Sequence, residues 1–161
     1  IPGMACPPEP WPDPERVLVV FDVAAERPPR DPPLLQIQSG GRMQVRAPEA
    51  GAPPLVADLG PGELATLLTL MLDEVALHRI DLPGLLAARE DQATGTGAVR
   101  FGRTADGATT YLGADLPGCR FELRHSPLAL MPEERAEDGA LADLARVEDR
   151  LLDLVVRVQT R

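Results

Sequence analysis

The chain has 161 residues, 44% of them hydrophobic, and a net charge of −9 in which all sixteen cations are arginine. That length makes one domain with enough apolar material for its own core, while an acidic surface without a basic stripe repels nucleic acid and anionic lipid. No apolar run approaches the ~18–20 residues of a membrane-spanning helix.

Residues 1–16 read as an arm or linker, and 17–161 as a single domain. Five prolines fall between Ala5 and Arg16, and each removes a backbone donor and fixes φ, so the arm is neither helix nor central strand. Trp11 suits pinning the arm to the body, the favoured reading, or to a partner. The leading Ile1-Pro2-Gly3-Met4 has two readings. A native start at Met4 places the protein in the cytoplasm; a processed end makes it an exported protein, and the expectation leans to that extracytoplasmic reading.

Val17 to Val23 is apolar on both faces as far as Asp22, the pattern of an inner strand. A Pro/Arg/Asp loop over 26–33 follows. Leu35 to Gln38 and Arg42 to Arg46 form a hairpin around Ser39-Gly40-Gly41, with Leu35, Ile37, Met43 and Val45 facing inward and Gln and Arg outward. Leu55 to Asp58 is a short strand. A helix opens at Pro61 and Glu63 and runs to about His78, with Leu64, Leu67, Leu68, Met71, Leu72 and Val75 as its buried stripe.

Leu82 to Glu90 suggests a short helix, 91–97 a loop, and Ala98 to Arg103 a weak strand. Thr109 to Ala114 and Cys119 to His125 form a second hairpin around Pro117-Gly118, with Cys119, Phe121 and Leu123 on one side and Arg120, Glu122 and Arg124 on the other. Glu137 to Val158 is a helix whose seam is Leu144, Val147, Leu151, Leu154 and Val158, with Asp153 and Arg157 spaced to pair. The fold class is therefore α+β: an antiparallel sheet of hairpins with two long helices packed on one face.

Chemistry-bearing residues are scarce. Lysine and asparagine are absent; histidine, cysteine and serine occur twice each and tyrosine once. Schiff-base chemistry, a phosphate-loop lysine and N-glycosylation are thereby excluded. Glu74 and His78 have metal-chelating spacing on a helix, but no third ligand is visible, and a plain helix-end ion pair is the simpler reading. His125-Ser126 reads as a turn pair, since a catalytic dyad forms across a fold rather than between neighbours. Cys119 reads as a small buried hydrophobe, with a Cys6–Cys119 disulfide as the lesser alternative. Thr94 to Gly97, Ser39 to Gly41 and Asp106-Gly107 lack the context of phosphate or calcium loops. No catalytic residue, metal ligand or cofactor is assigned. The outward Arg42, Gln44 and Arg46, with Arg120, Glu122 and Arg124, suit either an interface or a solvated sheet face.

Ser39-Gly40-Gly41-Arg42, Leu59-Gly60-Pro61-Gly62-Glu63-Leu64, Thr109-Thr110-Tyr111-Leu112 with Pro117-Gly118, and Leu141 to Leu152 together resemble uncharacterised exported bacterial domains of hairpin–helix–hairpin–helix layout. The nearest named relatives are the emfourin-type inhibitors of thermolysin-like metalloproteases. The resemblance covers residues 35 to 158; this chain differs in its longer loops, its Pro-rich arm and the position of its Gly-Gly pair. It implies a protein-binding function and assigns no inhibitory residue. The expectation is thus a non-enzymatic protein-interaction domain, of the cell envelope or inhibitor-like, whose partner is another protein. The alternative is a small-molecule or lipid carrier with a pocket between sheet and helices.

Overall fold

A computed structural model describes residues 13–85, 87, 108–116, 119–125 and 139–161. The strands are β1 (Val17–Ala24), β2 (Leu35–Gln38), β3 (Arg42–Val45), β4 (Leu55–Asp58), β5 (Thr109–Ala114) and β6 (Phe121–His125). They make a six-stranded sheet in the order β4-β3-β2-β1-β5-β6. Every neighbouring pair is antiparallel. The α+β class follows: this sheet carries α1 (Pro61–Leu68) and α2 (Gly139–Gln159).

The register turns the alternation of each strand into continuous rows. On the inner face one row runs Leu55, Val45, Leu35, Phe21, Leu112, Leu123, and the next Ala57, Met43, Ile37, Val19, Ala114, Phe121. Leu55 is partly buried, and the other eleven are buried in one core. A side chain two residues along a strand returns to the same face, so one apolar alternation per strand suffices to build the whole layer. The longest strand, β1, lies inside the sheet, as its two apolar faces require.

Over this layer lie Leu64, Leu67 and Met71 from the first helical segment, and Leu141, Leu144, Val147, Leu151, Leu154 and Val158 from α2. The two helices are tied where the C-terminal end of α2 meets the start of α1. There Arg157 Nη1 donates to Glu63 Oε2 at 2.9 Å. Arg157 thus pairs across helices rather than with Asp153. Glu63 Oε1 meanwhile accepts from the Gly60 N–H at 3.4 Å, covering a donor that the helix start leaves open.

The first helix does not run on to His78. It passes from α-helix into a π-helical stretch, Thr69–Glu74, closed by Val75 N–H donating to Leu70 O at 2.9 Å. Ala76 then turns left-handed at φ 53°, and a single 3₁₀ turn, Leu77–Arg79, follows. The reason lies in Leu77. At 100° per residue a continued helix would aim it away from the Leu64–Met71 stripe. The turn instead buries it completely. Burying a leucine is worth about 1.5–3 kcal/mol, against about 1–2 kcal/mol for left-handed alanine.

Residues 82–85 are helical, as expected. The expected strand over 98–103, Trp11, Pro117-Gly118 and Asp106-Gly107 lie outside the described residues. The root of the arm is stitched to the β2–β3 turn: Ser39 N–H donates to Arg16 O at 2.8 Å, Gly40 N–H to Pro14 O at 2.9 Å, and Ser39 Oγ to Asp13 O. Gly41 sits at φ 96°, where a Cβ would also fall 2.8 Å from Leu59 O, so glycine is needed there on both counts.

Candidate interaction surface

The outer face of the sheet is built by the other half of each alternation. One row runs Val56, Gln44, Gln36, Val20, Gly113, Glu122, and a second Asp22, Tyr111, Arg124. Gln36, Gln38, Gln44 and Val20 are half-buried; Arg42, Val56, Asp58, Glu122 and Arg124 are exposed. Val56 at 56% and Val156 of α2 at 54% are the most exposed large apolar side chains among the described residues.

At the β1–β2 end this face carries a charged cluster that sequence reasoning missed. Asp22 is fully buried and accepts hydrogen bonds from the N–H groups of Val23 (2.9 Å), Arg30 (2.8 Å) and Leu34 (3.2 Å). Arg30 adds Nε at 3.1 Å and Nη2 at 2.7 Å. Arg46 Nη1 stands 3.6 Å away. Burial pushes the Asp22 carboxyl up, but the Arg30 bonds and the charges of Arg30 and Arg46 outweigh it and hold it below the usual carboxylate range. Burial, then repulsion from Arg30, lowers Arg46. The cluster clamps the 25–34 loop, with Arg124 Nη1 donating to Pro28 O and Arg46 Nη2 to Pro32 O. Asp22 signals this in the sequence: it is the one acid in an apolar inner strand.

Arg124 also lies over the Tyr111 ring, its guanidinium carbon 4.6 Å from the centroid, and that ring covers the gap left by Gly113. Burial, and the charge of Glu122, push the Tyr111 hydroxyl pKa up. Of the outward arginines, then, Arg46 and Arg124 are engaged with the body, while Arg120 pairs with Asp115 at 2.9 Å. Arg42 alone of the expected set makes no ion pair among the described residues.

The histidines are placed differently from expectation. His125 is no turn residue. It continues the inward alternation of Phe121 and Leu123, and its Nε2 lies 2.9 Å from both carboxylate oxygens of Glu148 on α2. The side chains are only 2% and 8% exposed, so the pair is an enclosed strut between β6 and the last helix. The signal was legible: Glu148 interrupts the apolar seam between Leu144 and Leu151. His78 and Glu74 no longer share a helical turn, because the left-handed Ala76 separates them. Desolvation, then the neighbouring Arg79, lowers the His78 pKa. Among the described residues no group of three His, Cys, Asp or Glu side chains gathers to hold a metal ion. Cys119 is buried and disulfide-bonded, so the thiol reading is replaced by the cross-link; Cys6, the chain's other cysteine, lies outside the described residues.

Compared with family models, curated proteins and solved structures, the chain matches none of them. Among the described residues no helix is long and apolar enough to cross a membrane.

Proposed function

We propose that this chain is a non-enzymatic protein-interaction domain that works through the outer face of its sheet. The observation that carries the reading is the division of labour between the two faces. Both helices bury their stripes on the inner face, while Val20, Gln36, Gln38 and Gln44 remain half-covered on the other, with Arg42 and Val56 exposed beside them. A sheet face combining apolar and hydrogen-bonding side chains around an arginine has the composition of a non-obligate interface. The described acid–base groups support the same reading, because Asp22 is engaged by Arg30, Arg46 and three backbone N–H groups, and His125 and Glu148 are engaged with each other. The Cys119 disulfide supports an extracytoplasmic setting, where such bonds persist.

The test is capture from extracts of the native organism with wild-type protein and with a face variant, Arg42→Glu combined with Gln44→Arg. A protein retained by the wild type and lost with the variant supports the reading. Retention by both would move the contact elsewhere, and turnover of a substrate dependent on His125 would refute the non-enzymatic assignment.

A further inference from the structure

The outer face ends at β4, and the hydrogen-bonding phase of that strand defines which of its groups are unused. Leu59 N–H donates to Gly41 O at 2.8 Å, which makes Gly41 and Leu59 a hydrogen-bonded pair of the β3–β4 ladder. Bonded and non-bonded pairs alternate in an antiparallel ladder, so Ala57 and Leu55 bond inward to Met43 and Val45. The N–H and C=O groups of Val56 and Asp58 therefore point away from the sheet. Neither residue has a hydrogen bond to any described element on that side. Pro54 has no N–H to offer, so the free edge begins after it. Val56 and Asp58 also share the outer face, two residues apart. Val56 is 56% exposed, and the Asp58 carboxylate is exposed; Arg42 stands opposite it on β3, but no ion pair engages Asp58 among the described residues.

From this juxtaposition we infer that β4 is a strand-addition site for an extended segment of a partner protein bearing an apolar and a basic side chain two residues apart. This rests on the interaction-domain reading and names its partner chemistry. The backbone of the incoming strand takes up the four unused groups of Val56 and Asp58. Its apolar side chain covers Val56, and its cation sits beside Asp58, on the same face because side chains two apart return to one side. The net charge of −9 favours the same sign of partner at long range.

The test uses the full chain and two labelled peptides, TVTRTVTR and TVTETVTE, followed by fluorescence anisotropy. The arginine peptide is expected to bind at least about tenfold more tightly than the glutamate peptide, the size of one well-placed charge contact. Asp58→Asn should remove most of that preference while leaving the thermal midpoint unchanged, and Val56→Pro should abolish binding by deleting an outward N–H. If Val56→Pro unfolds the chain, Asp58→Asn decides alone. Equal binding of the two peptides, or a preference untouched by Asp58→Asn, overturns the inference. A partner captured through Arg42 and Gln44 but indifferent to Asp58→Asn overturns it too, and leaves the broader reading standing.

Discussion

Removing the carboxylate of Glu148 should be among the most damaging single changes available in this domain. Glu148 and His125 are both enclosed, and both carboxylate oxygens stand 2.9 Å from one imidazole nitrogen. Glu148→Ala leaves that enclosed nitrogen without its carboxylate partner. Breaking one side of a buried pair costs about 3–5 kcal/mol, a factor of roughly 10²–10³ or more in the folding equilibrium. At about 2–4 °C per kcal/mol for a chain of this size, the melting temperature should fall by about 6–20 °C. His125→Phe with Glu148→Leu removes both polar partners and fills the space, so the double variant should recover most or all of the loss. Urea titration followed by far-ultraviolet circular dichroism of the wild type, Glu148→Ala and the double variant measures both the loss and the recovery. A Glu148→Ala loss below about 1 kcal/mol, the range of an exposed pair, would mean the strut is solvated and the argument wrong.

Acid should act through Asp22. Its folded pKa is depressed, so its contribution is present above the unfolded carboxylate value near 3.8 and is lost as pH falls through the lower folded value. A denaturation series from pH 6 to pH 2 should show a loss below about pH 4 that Asp22→Asn largely abolishes, at a lower overall stability. Ala76→Gly should stabilise by about 0.5–1 kcal/mol, because relief of the left-handed strain exceeds the added chain entropy, whereas Gly41→Ala should destabilise by more than about 1 kcal/mol; chemical denaturation of the two variants gives the signs. A non-reducing proteolytic digest should yield a peptide joining Cys6 to Cys119. Reducing it should cost about 4–5 kcal/mol, as expected for a closed loop of roughly a hundred residues.

Much of the framework was legible in the sequence because it rests on local rules. Alternation placed Leu35, Ile37, Met43 and Val45 inward, Gly40-Gly41 marked their turn, and the step of three and four residues located the α2 seam. What those rules cannot reach is which element lies over which. Glu148 and His125 each sit at an inward position, yet only the packing of α2 onto the sheet makes them partners. Asp22 gains its two arginines because the 25–34 loop folds back and Arg46 lies in the same lateral row. The helix stops at Glu74 against its own periodicity, because Leu77 finds room in the core only after a left-handed turn. By itself, then, the chain determined its strands, its amphipathic faces and the scarcity of reactive groups, all set by neighbours within a few residues. The tertiary structure decided the enclosed His125–Glu148 contact, the arginines around Asp22, the helix break and the free edge of β4, since each depends on which elements meet and which fail to meet.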